Sequence, residues 1–170
     1  MVDREAVSAD AIVVSVGTSP ELMQRALAWL HEGKASKLVL TRNLARPTDQ
    51  AGITVPLAEH RRRELDAAGV PETAREFIGG DSRLLREELA VVRAWAATNH
   101  VKRILLPAEP LATRRVGWLA RRMLGPAGIE PIVVPVPVAG YSVADWWRSK
   151  AGLMAMENEW ALMAYYWWNY

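Results

Sequence analysis

The chain has 170 residues, of which 51% are hydrophobic, 24% are charged and none is cysteine. This length predicts one domain over residues 1–170, and the high apolar content with a net charge of +2 excludes a disordered protein. The lack of cysteine excludes a disulfide framework, a thiolate metal site and a cysteine nucleophile.

The charge pattern and the apolar runs also limit the partners. A duplex-binding surface needs clustered basic residues, whereas acidic and basic residues alternate along the predicted helices, so no nucleic acid is expected. No run reaches ~18 apolar residues, so no segment is predicted to span a bilayer. Residues 1–10 are polar and lack the apolar core of a signal peptide.

The first half of the chain predicts two strands joined by a helix. The β-branched run at 11–16 is typical of a strand that is buried on both faces. Ser19 suits the N-cap of the helix that follows, and Pro20 suits its first position. Residues 37–41 form the second strand, and the longest predicted loop follows at 42–52, where long loops are often functional.

Strand and helix patterns continue to alternate in the second half. In chain order we predict a helix at 57–68, a short strand at 75–78, a turn at 79–82, a helix at 84–98, a strand at 103–107, a helix at 111–124 and a strand at 129–134. This alternation predicts a mainly parallel five-stranded sheet with helices on both faces. Ligands of such sheets bind beyond the carboxyl ends of the strands.

The last segment, residues 143–168, is rich in aromatic residues and is predicted to break near Gly152. Its apolar residues recur at helical steps of three and four, and they are Leu153, Met156, Trp160, Met163 and Trp167. One interpretation is a helix for a membrane interface or a partner. The other is a helix packed on the sheet through Leu153, Met156, Trp160 and Met163, which Glu157, Glu159 and the lack of Lys or Arg after Lys150 favour.

Two predicted strand ends carry candidate ligand groups. Gly17 and Thr18 join the first strand to a helix N-terminus, where backbone N–H groups and the helix dipole can hold an anion. Arg42 and Asn43 follow the second strand and can donate to a phosphate or a carboxylate. The alternatives are a plain strand–helix turn and a solvated loop.

Two further candidates begin helices. Ser82 precedes the helix at 84–98 and suits its N-cap, while Glu87 in the same helix could accept a hydrogen bond from a sugar or an amine. Arg115 lies early in the helix at 111–124. It is either a charge clamp that reaches over the pocket or part of a solvated basic face.

A metal site is not expected. The histidines His31, His60 and His100 are separated along the chain, and none has a second ligand close in sequence. The basic run at 61–63 is predicted to be a solvated helix edge.

Several short pieces occur in a fixed order from Ala9 to Tyr166. They are ADAIVV at 9–14, GKASKLVLT at 33–41, GVP at 69–71, DS at 81–82 before Glu87, ILL at 104–106 before Arg114 and Arg115, WWR at 146–148, NEW at 158–160 and YY at 165–166. Together they resemble the SanA/YdcF/ElyC-like family of bacterial domains of unknown function.

The resemblance implies a Rossmann-like three-layer α/β sandwich linked to the cell envelope and to peptidoglycan biogenesis. One branch of the family is linked to S-adenosylmethionine, which is therefore a possible cofactor by resemblance only; no other cofactor is expected. Many members follow an N-terminal membrane anchor, which implies a periplasmic or envelope-associated location. A chain complete as given would be expected in the cytoplasm.

The sequence departs from the family in most of the polar loops. Gly17, Ser82, Glu87 and Arg115 match, whereas the glycine-rich first loop, the Ser-Gly-Gly after the second strand and the His before the arginine are replaced. Two functions are therefore predicted. The first is binding or processing of a small anionic, phosphorylated envelope metabolite, and the second is a non-catalytic interaction protein with a degenerate pocket.

In the first function each candidate has a role. Gly17 and Thr18 would donate backbone N–H groups to the anion, Arg42 and Arg115 would clamp its charge, and Glu87 would act as an orienting acceptor or base. Asn43 and Ser82 complete the candidate set. The oligomeric state is not predicted.

Overall fold

A five-stranded parallel sheet forms the centre of the protein. The computed structural model describes residues 8–169, apart from the side chain of Asp81. The strands are β1 (Ala11–Ser15), β2 (Lys37–Asn43), β3 (Arg75–Ser82), β4 (Arg103–Ala108) and β5 (Glu130–Pro135). All are parallel, in the order β3-β2-β1-β4-β5. Residues 1–7, in which no signal peptide is predicted, lie outside the described residues.

Helices connect the strands and cover both faces, which confirms the Rossmann-like three-layer α/β sandwich. They are α1 (Pro20–His31), α2 (Pro47–Gln50), α3 (Leu57–Ala67), α4 (Leu85–Thr98), α5 (Thr113–Leu124) and α6 (Lys150–Asn169). The predicted N-cap of α1 is confirmed, because Ser19 Oγ accepts the Leu22 N–H at 3.5 Å. Over residues 8–169, none of these helices is both long and apolar enough to cross a bilayer.

Strand β1 lies between two apolar layers. Ala11 and Val13 pack with α4, α5 and α6, while Ile12 and Val14 pack with α1 and α3. The two sets alternate because successive side chains of a strand point to opposite faces. A strand buried on both faces requires the uninterrupted apolar run that the sequence has here.

The carboxyl ends of β2 and β3 are longer than predicted. Arg42 and Asn43 belong to β2 rather than to a loop, and the predicted turn at 79–82 is wrong because β3 continues to Ser82. Arg42 pairs with Gly79 and Asn43 with Ser82, so the register shifts at this point. Gly79 has a φ of 71°, which glycine adopts without the steric cost of a Cβ.

The predicted break in the last segment lies at Ser149 rather than at Gly152, and helix α6 begins at Lys150. A Cβ at Gly152 would lie 2.2 Å from the backbone oxygen of Trp146. The glycine therefore lets the 3₁₀ turn Trp146–Arg148 lie directly against the first turn of α6.

The predicted packing face of α6 is wrong in part. Tyr166 is 1% exposed and joins the core of α4 and α5, but Trp160 is 67% and Leu153 is 49% exposed. Met156 and Met163 are half-buried in a groove beside α5. The helix is apolar around most of its circumference, so the apolar spacing did not determine which side would face the sheet.

We expect Gly152→Ala to destabilise the protein, because the new methyl group would displace backbone atoms of Trp146. A loss of about 1–3 kcal/mol in the free energy of unfolding is typical of such overpacking. Urea denaturation followed by circular dichroism measures it. Gly125→Ala is the control, since no atom lies within 4 Å of a Cβ there. Equal effects of the two substitutions would contradict the packing described for α6.

Candidate functional site

A cavity of about 340 Å³ opens at the carboxyl edge of the sheet. Its floor contains the ends of the neighbouring strands β1 and β4. Strands β2 and β3 lie on the β1 side of this pair, and β5 lies on the β4 side, so the order of the strands reverses here. Its walls are the first turns of α4 and α5 and one side of α6. A reversal of strand order leaves a crevice between the crossover helices, and this crevice is the usual ligand site of open parallel sheets.

Glu88 of α4 is the centre of a hydrogen-bond network in this cavity. Thr41 Oγ1 donates to Glu88 Oε2 at 2.5 Å, and Asn43 Nδ2 donates to Glu88 Oε1 at 3.3 Å. Ser15 Oγ donates to Asn43 Oδ1 at 2.8 Å. Burial raises the pKa of Glu88 above its ordinary value, although the hydrogen bonds from Thr41 and Asn43 oppose that shift. A half-buried carboxyl with a raised pKa is suited to accept or hold a proton.

Arg115 of α5 lines the same cavity, but its guanidinium is already paired. Nε donates to Glu159 Oε2 at 2.6 Å and Nη2 to Glu159 Oε1 at 2.7 Å. The Arg115 and Glu159 side chains are 13% and 14% exposed. This is the two-pronged geometry that binds carboxylate and phosphate most strongly, so Glu159 of α6 occupies the place that an anionic ligand would take.

A third carboxylate, Glu109, follows β4 at the cavity wall. Tyr141 donates its hydroxyl to Glu109 Oε2 at 2.7 Å. Burial and then Glu109 raise the pKa of the Tyr141 hydroxyl, so it stays protonated and remains a donor. Among the described residues that line the cavity are thus three carboxyl groups and one guanidinium, and the interior is acidic.

The loop after β1 does not present free donors at the predicted anion site. The Gly17 N–H lies 3.3 Å from Ser15 Oγ, and the Thr18 N–H donates to the Ser15 carbonyl at 3.1 Å. Arg61 donates Nε to the Val16 carbonyl at 3.0 Å and Nη2 to the Thr18 carbonyl. Thr18 lines the cavity, while Gly17 is exposed at its edge.

Arg61 is a correction to the sequence analysis. It is 7% exposed rather than part of a solvated edge, and Glu64 accepts from its Nη1 at 2.5 Å. The charged head is buried because two carbonyl oxygens and a carboxylate satisfy it. Arg61 therefore fixes the loop between β1 and α1 from the α3 side.

The other predicted residues lie apart from the cavity. Arg42 is exposed and lines a separate hollow of about 190 Å³, which Asn43 also borders, because Arg42 points to the face of β2 opposite Thr41. Ser82 is buried at the end of β3 and is not the N-cap, a position that Leu84 occupies.

Glu87 caps helix α4 instead of facing the cavity. Its Oε2 accepts the N–H groups of Arg83 at 2.6 Å and Leu84 at 3.3 Å. These backbone N–H groups lower the pKa of Glu87. Glu88, and not Glu87 as predicted, therefore has the position in the cavity that a base needs.

A signal for Glu88 was present in the sequence. It lies three residues after Leu85 and four before Val92, and this spacing puts it beside both apolar residues on one side of the helix. A carboxylate in such a stripe is a candidate for a pocket wall. No comparable signal linked Glu159 to Arg115, because the contact spans 44 residues.

The fold and cavity define a Rossmann-like α/β domain with an acidic pocket at the point where the strand order reverses. No protein-family model matches the chain, and no curated protein matches its sequence. The resemblance to the SanA/YdcF/ElyC-like family therefore remains a prediction. Within residues 8–169, no group of three or more His, Asp or Glu side chains is placed to hold a metal ion.

We expect Arg115 and Glu159 to be strongly coupled. In a double-mutant cycle of Arg115→Met and Glu159→Gln, the coupling energy should be about 2 kcal/mol, since both groups are largely removed from water. The exposed pair Glu59 and Arg63, with side chains 46% and 66% exposed, should give a coupling close to zero. Urea denaturation of the wild type and the six variants measures both. Equal coupling in the two cycles would contradict the partly buried pairing.

Glu88 and Glu87 should show opposite pH dependences. The raised pKa of Glu88 means that the folded state holds its proton more tightly than the unfolded chain. Stability is therefore lost as the pH rises from the ordinary value of 4.5 through the folded pKa. Glu88→Gln removes this loss, and its amide can donate to Thr41 Oγ1, whose hydroxyl already lies 3.4 Å from the Val14 carbonyl. We expect the stability of Glu88→Gln relative to the wild type to increase as the pH is raised towards neutral.

Glu87→Gln is the matched control for that experiment. In the wild type, the lowered pKa of Glu87 means that its charged form stabilises the folded state at pH values above the ordinary pKa of 4.5. This stabilisation is lost as the pH falls through the pKa of the folded state. The relative stability of Glu87→Gln should therefore decrease towards neutral pH. Urea denaturation over a pH series distinguishes the two, and the same trend in both variants would refute the assignment of Glu88 to the buried network.

Proposed function

We propose that the domain binds a small, hydroxyl- or amine-bearing molecule in the acidic cavity. The observation that carries the proposal is the balance of groups there: Glu88, Glu109 and Glu159 against the single paired guanidinium of Arg115. Carboxylates accept hydrogen bonds, and they attract cations while repelling anions. A sugar or an amino sugar presents donors of this kind without a negative charge.

The proposed ligand binds where the sequence predicts, beyond the carboxyl ends of the strands, but it is uncharged or cationic rather than anionic. A phosphorylated ligand would have to displace Glu159 from Arg115, and the freed carboxylate would then lie beside the phosphate. The N–H groups of Gly17 and Thr18 are engaged within the loop, which leaves the anion without the donors expected for it. These contacts favour an uncharged or cationic ligand.

Glu88 gives the site a means of moving a proton. Its raised pKa and its hydrogen bonds to Thr41 and Asn43 hold the carboxyl in one orientation at the cavity wall. A ligand hydroxyl or ammonium group at this wall could transfer its proton to Glu88. Within the proposal, Glu88 is the catalytic candidate if the bound molecule is processed rather than only held.

S-adenosylmethionine fits the cavity in part. Glu88 and Glu109 could accept from its amino group and its ribose hydroxyls, and its sulfonium suits acidic surroundings. Its carboxylate has no free partner among the described lining residues, because Glu159 holds Arg115. The residues present therefore do not fit the whole cofactor.

The resemblance to the SanA/YdcF/ElyC-like family supports an envelope setting, in which sugars and amino sugars are common constituents. The alternative function is a non-catalytic interaction protein with a degenerate pocket. It is favoured by the aromatic side of α6, where Trp160, Trp167 and Trp168 are 67%, 73% and 84% exposed.

Thermal denaturation with glucosamine, glucose and glucose 6-phosphate at matched ionic strength tests the proposal. At ten times the dissociation constant, a ligand stabilises by ~1.4 kcal/mol, which raises the Tm by about 3–6 °C for a chain of this size. We expect this rise with glucosamine, a smaller one with glucose and none with glucose 6-phosphate. Glu88→Gln should reduce the rise, while the control Arg42→Ala should leave it unchanged.

Two results would count against the proposal in different ways. If glucose 6-phosphate raises the Tm and Arg115→Ala abolishes that rise, the ligand is anionic and Arg115 binds it. No response to any of the three sugars would favour the interaction protein.

A further inference from the structure

Helix α6 contacts the rest of the domain along one side only. Gly152, Leu162 and Tyr166 lie on that side, together with Glu159 in its pair with Arg115. The rest of its circumference carries exposed apolar residues, which we call the outer face: Leu153, Met154, Trp160, Tyr165, Trp167 and Trp168, exposed by 49%, 59%, 67%, 43%, 73% and 84%. Trp160 also borders the groove between α6 and α5.

The outer face is larger than an ordinary exposed patch. With up to ~250 Å² for a whole aromatic side chain, its three tryptophans alone expose roughly 550 Å². With the other three residues, the exposed area of the outer face is roughly 800 Å². The largest apolar patch of a monomer is about 300–600 Å², whereas a stable interface buries about 800 Å² on each partner. The area therefore matches one side of a protein interface.

The charges on α6 favour a protein partner over a lipid surface. Helices that bind membranes in the interface plane carry Lys and Arg on their polar side, but α6 has none after Lys150. Glu157 lies within the exposed arc, where an anionic headgroup would repel it. A protein surface that is mostly apolar and lacks an array of anionic headgroups fits this face better than a bilayer does.

The spacing of large and small residues suits a second copy of the same helix. Leu153, Trp160 and Trp167 recur every seven residues and so form one stripe. Ala161 and Ala164 lie beside Trp160 and leave room at the middle of the face. We propose that the protein forms a two-fold symmetric dimer in which two α6 helices pack antiparallel through their outer faces. The two-fold axis passes near Trp160 and sets Leu153 against the Trp167 end of the partner helix.

Sedimentation equilibrium of the full chain over a range of concentrations tests the dimer. The wild type should sediment at twice its mass of 18.9 kDa, and Trp160→Glu should raise the dissociation constant at least tenfold. Ile53→Glu is the matched control, because Ile53 is 75% exposed but lies between α2 and α3. Trp168→Glu gives a second variant at a different point of the same face.

Circular dichroism should show that these exposed substitutions leave the fold intact. A wild type that stays monomeric at every concentration would overturn the dimer. So would equal dissociation constants for Trp160→Glu, Trp168→Glu and Ile53→Glu. A monomer that floats with phosphatidylcholine vesicles, and loses this binding in Trp160→Glu, would assign the face to a membrane instead. None of these outcomes depends on the sugar proposal, since the cavity ligands are omitted.

Discussion

The ion pair between Arg115 and Glu159 determines how the last helix meets the rest of the domain. Two charge-assisted hydrogen bonds join the first turn of α5 to the middle of α6. Because both side chains are largely buried, separating them would leave a charge without a partner in a poorly solvated place. The pair therefore fixes the rotation of α6 about its own axis. That rotation brings Asn158 and Glu159 to the cavity and turns Trp160 outward.

The same pair sets the electrostatic character of the pocket. An unpaired Arg115 would make the cavity a natural anion site, as its position near the ends of β1 and β4 suggests. With Glu159 bound, the guanidinium is neutralised, and Glu88 and Glu109 dominate the remaining field. The raised pKa of Glu88 follows from burial in this cavity. The chemistry of the site thus depends on a contact between residues 44 positions apart.

Local patterns in the sequence were sufficient to predict the sheet but not to predict which side chains line the cavity. The apolar run of β1 and the alternation of strands and helices predicted the parallel sheet, because each pattern is set by neighbours along the chain. The side chains of the pocket were harder to assign. An error of two residues in the end of β2 placed Arg42 in a loop, whereas the strand continues through it and the pleat points it away from Thr41.

The role of Glu87 shows the same limit at a helix terminus. Two adjacent glutamates begin α4, and one of them must satisfy free backbone N–H groups. The prediction assigned the cap to Ser82 and the pocket to Glu87. In the structure Glu87 is the cap and Glu88 faces the cavity. A shift of one residue rotates a helical side chain by about 100°, so the helix start decides which glutamate is available.

Helix α6 connects the cavity with the outer face, since its two sides belong to different surfaces. Glu159 and Asn158 line the pocket, and Trp160 follows them directly on the exposed side. A ligand that displaced Glu159 would break both hydrogen bonds that join the middle of α6 to Arg115. A partner on the outer face would contact the same stretch of the helix. Occupancy of the cavity and occupancy of the outer face therefore act on one rigid element, and any effect of one on the other must be reciprocal.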